Sequence, residues 1–392
     1  MSVAPDVIGL AKLGRMVFEG VDVAPVWDRL MARTRAAPDD AGAIMDLATL
    51  LLLSAQGESG LGVQAQALAT QKVFRRAADE DDDALKLLAI VTPGDLMANT
   101  PLDFLLEGAK VELISLYVVP GEPISEPPEH DVAFLAIGES EANRAALEAI
   151  EPALAHWPRP VLNGDAARIR ALTRDGVAAA MAGAAEVLAP ATARLTRGDL
   201  AAVGAGRCAP CAFPLLVRPI ASHAGAGLAK LDSAAAIPAY LAEQADDQFY
   251  VTPFIDYAGA DGLYRKQRIV LIQGRPFICH MAVSERWMVH YMNAGMTESA
   301  EKRVEEARLM AEFDADFAAR HSGAFAQLHE RLGLDYFGID CAETPDGRLL
   351  LFEADVAMIV HAMDPEDPFA YKKAPMHKLF GAFEAMLRKA AA

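Results

Sequence analysis

The chain has 392 residues, more than one hydrophobic core ordinarily organises, so its length predicts two or three structural units. Its 36 Lys and Arg against 54 Asp and Glu give a formal net charge of −18, which argues against a broad electrostatic grip on nucleic acid. Hydrophobic residues make up 53% and charged ones 23%, which excludes an unfolded polar chain. The most apolar runs, at 48–55 and 178–185, fall short of the roughly 20 residues that cross a bilayer, so no membrane partner is expected. Residues 1–15 carry Asp6 and lack the basic start and cleavage site of an export signal, and four cysteines are too few for a disulfide framework. A cytoplasmic setting is the expectation.

Residues 1–83 read as a helical segment. Within 41–78, Ile44, Leu47, Leu50 and Leu51 have helical spacing, a glycine-rich break follows at 57–62, and Ala65, Leu68, Ala69 and Val73 continue on one face. This helical pair is faintly tetratricopeptide-like, but no second copy follows at a fixed period. The acidic run Glu80-Asp81-Asp82-Asp83 reads as a solvated linker.

From 84 to 162 the order is strand 85–91, turn 92–95, helix 96–107, strand 111–119, strand 132–137, helix 142–154 and a short strand at 161–163. That alternation predicts a small parallel α/β sheet with ligands at the strand ends. Thr92, Asp95, Asn99 and Ser140 would line such a cleft, or would serve only as caps and turn residues.

From 163 to 392 the character is α+β. Strands are expected at 213–219, 249–255, 267–272, 276–282, 336–341 and 348–352, and helices at 234–243, 298–321, 324–332 and 378–389. The region 190–256 would form a lid subdomain. The 267–272 and 276–282 strands adjoin across the turn Gln273-Gly274-Arg275.

Three patterns carry chemistry. FGIDCAE places Asp340 on a strand, and LLLFEAD places Glu353 and Asp355 two apart, hence on one face of the next. Carboxylates beside so apolar a strand need a cation, and oxygen donors suit Mg²⁺; the alternative is a strand end emerging into water. FPLLVRP followed by SHAGAG puts Arg218 before a small-residue loop containing Ser222, His223, Gly225 and Gly227, a phosphate cradle or a plain turn. YRKQR puts Lys266 and Arg268 on one strand face, suited to neutralising a polyphosphate or to protecting a sheet edge.

Taken in order, these segments resemble the ATP-grasp superfamily, in particular its carboxylate–amine ligases such as glutathione synthetase and the ribosomal-protein glutamate ligases. The resemblance spans about 163–365, with a pre-ATP-grasp domain from about 85. It implies that Arg218 stands where the family has Lys, that Ser222, His223, Gly225 and Gly227 cover the phosphates, and that Thr252, Phe254 and Ile255 face adenine with Asp256 on the ribose. Lys266 joins this nucleotide set, and Arg268 corresponds to the family's arginine facing the phosphates and the acyl intermediate. Asp340, Glu353 and Asp355 correspond to the metal ligands, with Asp in place of the usual final Asn, compatible with two Mg²⁺ ions. An Arg-Asp-Lys segment is represented by Arg174-Asp175-Gly176, without the Lys.

The activity implied is ATP-dependent amide formation through an acyl phosphate, between small-molecule or peptide carboxylates and amines. Arg218 and Arg268 are the implied catalytic residues. Alternatives are an inactive ATP-binding scaffold that recruits a protein, or an ATP-grasp kinase or phosphotransferase. His280 and His361 are further candidates for the acceptor pocket, beside Trp287 and His290. Cys208 and Cys211 form a single CxxC without a second pair, more in keeping with a flexible segment than a metal site. A homo-oligomer is compatible with all of this.

Overall fold

The computed structural model describes residues 4–78, 84–220, 222 and 225–392. The chain is a mixed α/β molecule with three sheets among those residues. It divides into two units, the first comprising Met1–Arg170, Leu334–Gly338 and Asp355–Ala392, the second Ala171–Gly333 and Ile339–Ala354. Among the described residues, no helix is long and apolar enough to cross a membrane.

The first unit opens with helices Leu10–Phe18, Ala24–Ala36, Ala41–Leu53 and Gly57–Thr70. Asp40 caps the third by accepting the Ala43 N–H at 3.0 Å, and Leu13, Leu30, Leu47 and Leu50 form a shared buried cluster. The helical pair expected over 41–78 is thus half of a four-helix group, and it stops at Thr70. Val73–Arg76 (β1) is instead a strand whose four residues alternate half-buried and buried, a period of two that the helical spacing upstream concealed. The acidic run at 80–83 lies outside the described residues.

Strands β2 (Leu85–Val91), β3 (Val111–Tyr117), β4 (Val132–Leu135) and β5 (Val161–Leu162) complete a sheet of order β1-β3-β2-β4-β5. β2 runs parallel to β3 and β4, β4 runs parallel to β5, and β1 is antiparallel at the edge. The helix expected over 96–107 is confined to Leu102–Leu105. Pro101 disfavours helical geometry at Thr100, and the Asn99 side chain is committed to the Thr92 backbone, accepting its N–H at 2.9 Å and donating to its carbonyl at 2.8 Å. The last helix, Lys373–Ala391, buries Met376, Leu379, Phe380, Phe383 and Leu387 at helical spacing, with the Phe383 ring 5.8 Å from Phe134 and 5.4 Å from Tyr336.

Asn163 ties residues far apart in sequence within this unit. Its φ is +51°, and its buried side chain donates to the Tyr336 carbonyl at 2.7 Å and accepts the Tyr336 N–H at 2.9 Å. Asn tolerates this left-handed backbone better than most residues. Asn163→Ala is therefore expected to cost about 2–3 kcal/mol, from two orphaned buried backbone groups and a less tolerant residue at positive φ. Denaturant unfolding checks this; a cost below about 0.5 kcal/mol would contradict it.

The second unit holds two sheets. β7 (Ala193–Thr196), β8 (Leu215–Pro219), β9 (Ala229–Leu231) and β10 (Gln248–Pro253) form an antiparallel sheet of order β7-β10-β8-β9. Helices Arg197–Gly204 and Ile237–Glu243 pack on it through Leu200, Val203, Ile237 and Tyr240, against Leu215, Val217, Phe249 and Val251. The other sheet combines β6 (Val187–Leu188), β11 (Tyr264–Ile272), β12 (Arg275–Ser284), β13 (Tyr336–Glu343) and β14 (Leu349–Asp355) in the order β12-β11-β13-β14-β6. Gln273 and Gly274, both at positive φ, make the two-residue turn between β11 and β12. The long helix expected over 298–321 is interrupted: Ala300–Glu312 and Phe317–Arg320 are separate, and Ser322–Leu332 follows.

Candidate active site

The site is built around Asp340 on β13, only 2% exposed. Lys266 and Arg268, two residues apart on neighbouring β11, turn to the same face and both reach it. Lys266 Nζ lies 2.8 Å from Asp340 Oδ2, Arg268 Nε 2.8 Å from Oδ1, and Arg268 Nη2 3.1 Å from Oδ2. The register of β11 with β12 shifts immediately after Arg268. Arg268 pairs with His280 and Ile269 with Ile278, leaving Cys279 as the extra residue of a bulge.

On β14, Glu353 is held by Arg174, whose Nη2 donates to the carboxylate while Nη1 donates to the Phe352 carbonyl at 3.1 Å. Arg174 opens the short helix Arg174–Ala180, whose cap Thr173 accepts the Gly176 N–H at 3.1 Å. Arg218, at the end of β8 and 8% exposed, donates from Nε to Ser222 Oγ at 3.2 Å and from Nη2 to the Ser222 carbonyl. It also feels the charges of Arg174 and Glu353.

Three cations therefore meet two carboxylates, and a fourth, Arg218, feels the charges of Arg174 and Glu353. Burial disfavours the charge on Asp340, but Arg268 and Lys266 outweigh it and hold the carboxyl well below its ordinary range. The same burial works against Arg268, yet Asp340 raises it above the usual guanidinium value. Glu353 is raised by burial but is lowered on balance, principally by Arg174. Arg218 is pushed down to about 10 by burial and then by like-charged Arg174. His290 is lowered by burial, then by Lys266 and Arg268, so its imidazole is predominantly neutral at pH 7.

The nucleotide-side candidates fall along the same unit. Thr252 is on β10, and its buried Oγ1 has no hydrogen-bond partner among the described residues. Phe254 follows β10, with Lys230 Nζ 4.3 Å from its ring centroid and Trp287 5.7 Å away. Ile255 packs beside the Tyr257 cluster, and exposed Asp256 accepts the Ala258 N–H at 3.1 Å. Gly225 and Gly227 have positive φ; a Cβ on Gly227 would lie 2.7 Å from Pro219 Cδ, so only glycine fits there. His223 lies outside the described residues.

The remaining candidates have local duties in their own units. Asp95 Oδ1 accepts the Met97 N–H at 2.9 Å, Ser140 Oγ accepts the Asn143 N–H at 3.1 Å, and Asn99 binds Thr92 as above, so all three make the turn and capping bonds. His361 Nδ1 accepts the Met363 N–H at 3.2 Å, with its ring 5.8 Å from Phe18 and 6.1 Å from Phe104. His280 meets Tyr291 edge-on, with ring centroids 4.6 Å apart. Asp355 begins a stretch of the first unit, and its Oδ1 accepts the Ala357 N–H at 2.9 Å. Cys208 is exposed and Cys211 half-buried, both as free thiols.

Asp340 and Glu353 supply a two-carboxylate donor set of the kind that Mg²⁺ uses together with phosphate oxygens. Among the described residues, no group of three or more His, Cys, Asp or Glu side chains is arranged to hold a metal ion by itself. Sequence reasoning did not select Arg174 as a site residue. Its signal was the Arg174-Asp175-Gly176 segment that stands for the family's Arg-Asp-Lys, and the bond to Glu353 arises only in the fold.

No protein-family model and no curated protein matches the chain. Several solved structures are similar to it. The RimK domain ATP-grasp protein of Sphaerobacter thermophilus shares 16% identity over 77% of this chain and 99% of that one, with a TM-score of 0.43. VanG D-Ala:D-Ser ligase of Enterococcus faecalis shares 14% over 79% and 100%, with a TM-score of 0.48. D-alanine–D-alanine ligase of Bacillus anthracis, solved with ATP, shares 12% over 79% and 97%, with a TM-score of 0.44.

Proposed function

We propose that the chain is an ATP-dependent ligase that joins a carboxylate to an amine through an acyl phosphate. The supporting observation is the local excess of cations: Lys266, Arg268 and Arg174 contact Asp340 and Glu353, and Arg218 is electrostatically linked to Arg174 and Glu353, in a chain whose net charge is −18. A half-buried cluster with more positive than negative charge is suited to a polyanion.

In this reading Arg218 and the Ser222–Gly227 segment bind nucleotide phosphates, and Lys266 and Arg268 stabilise charge on the phosphoryl group in transfer. Thr252 Oγ1 supplies a buried polar group for the base, beside the Phe254 ring. Asp340 and Glu353 would hold Mg²⁺, which would supply positive charge against the nucleotide phosphates. Arg268 would also face the oxygen of the acyl intermediate, and His290, on which the charges of Lys266 and Arg268 act, would take up the proton that the substrate ammonium loses before its amine attacks.

ADP release measured over a panel of carboxylates and amines, with and without Mg²⁺, tests the proposal. The expected result is Mg²⁺-dependent ADP and phosphate only when both co-substrates are present. Tight ATP binding with no ADP from any pair would favour the scaffold, and a stable phosphorylated product without amine would favour a kinase.

A further inference from the structure

A cavity of about 160 Å³ lies within the first unit, bounded by helices Ala41–Leu53 and Gly57–Thr70 on one side and by β2 and β3 on the other. Exposed Asp95 lines one wall, where the cavity meets solvent. Most of the lining is small or apolar, but three buried charged side chains open onto it: Asp46, Arg76 and Asp103, at 1%, 7% and 8% exposure.

Their hydrogen bonding is incomplete in a specific way. Arg76 Nε pairs with Asp103 Oδ1 at 2.5 Å and Nη1 donates to the Ala77 carbonyl at 3.3 Å. Arg76 Nη2 is buried with no hydrogen-bond partner among the described residues. Asp46 accepts the Ile8 N–H on both oxygens, at 3.1 and 2.9 Å, and the Gly9 N–H at 3.3 Å. Asp103 Oδ2 accepts the Ala11 N–H at 2.6 Å. The three groups converge on Gly9, whose φ is +92° and where a Cβ would stand 2.8 Å from both Arg76 Cδ and Asp103 Oδ2.

We propose that this cavity binds one small zwitterionic amino acid, with its carboxylate on Arg76 Nη2 and its ammonium on Asp46. A buried guanidinium nitrogen without a partner is costly, and a carboxylate is the acceptor that matches its planar fork. A simple anion would answer Arg76 but meet the carboxylates of Asp46 and Asp103. A simple cation would answer Asp46 and leave Arg76 unpaired. Burial raises the Asp46 carboxyl to about 6, and an adjacent ammonium would favour its ionised form. Size sets the class further. An engineered cavity of about 150 Å³ holds benzene, six non-hydrogen atoms, and alanine has the same number. The site is complete within the first unit, so it goes beyond the ligase reading and stands without it. Asp95 and Asn99, read from the sequence as cleft residues, line this same cavity.

Isothermal titration of the full chain without nucleotide, using glycine, L-alanine, D-alanine, L-phenylalanine, acetate and methylamine, tests the assignment. At least one of the three small amino acids is expected to bind with a Kd of about 1 mM or tighter, phenylalanine not to bind, and acetate and methylamine each to bind at least about tenfold more weakly. Ala89→Leu fills the cavity without touching a charge, and Arg76→Lys keeps the charge while removing Nη2; each is expected to weaken binding about tenfold or more. If one variant does not fold, the other carries the comparison. Absence of binding by all three small amino acids at about 50 mM would overturn the proposal. So would acetate binding as tightly as alanine, or unchanged affinity in the folded variants, which would place the ligand elsewhere.

Discussion

Asp340→Asn is expected to lower stability by about 3 kcal/mol and to eliminate ADP release, because it removes the carboxylate that compensates two buried cations. Side-chain exposures of 15% for Lys266 and 21% for Arg268 leave little water to take over that role. For a unit of this size the loss corresponds to a fall in Tm of about 6–12 °C. The pH dependence has a definite sign. Asp340 is lowered in the folded state, so its contribution is present above the unfolded carboxyl value of about 3.9 and is lost as pH falls below it. The variant should lack that component of acid sensitivity. Asp340→Asn with Lys266→Met removes one orphaned cation and is expected to recover part of the stability while remaining inactive. Thermal melting from pH 7 to pH 3 checks the set, and an unchanged Tm in the Asp340→Asn variant would refute the charge-compensation account.

Glu353→Gln separates chemistry from folding. The Glu353 and Arg174 side chains are 31% and 26% exposed, and Arg174 keeps its hydrogen bond to the Phe352 carbonyl, so the stability cost is expected to stay below about 1 kcal/mol. Turnover with an active substrate pair should fall by about 10³-fold, since the variant loses one of two proposed Mg²⁺ carboxylates. Mg²⁺-dependent tightening of ATP binding should weaken in parallel. Turnover within tenfold of the parent would remove Glu353 from the proposed metal site.

Much of the local structure was legible because the signals are local. The apolar run Leu85–Val91 is a strand, and the Gln273-Gly274 turn joins β11 to β12, as hydrophobic runs and turn residues dictate. The errors arose where a local pattern was overridden or continued past its limit. The amphipathic run at 96–107 gave way to Pro101 and to the Asn99 side chain's bonds with Thr92, while β1 was concealed by the helical spacing before it. At the site, the two-residue spacing of Lys266 and Arg268 fixed a common face, which is a property of any strand. That this face turns toward Asp340 depends on β11 and β13 being neighbours, which no local pattern encodes.

Residue order by itself therefore determined the acidic balance, the strand and turn segments, and which carboxylates and cations share a strand face. Only the tertiary structure decided which charges meet. It brought Arg174 from a short helix to Glu353, left Asp355 in a local turn with Ala357, and gathered Asp46, Arg76 and Asp103 around Gly9. The physical reason is range: backbone periodicity extends over a few residues, whereas charge compensation in a buried site acts between strands that the chain joins only after long excursions.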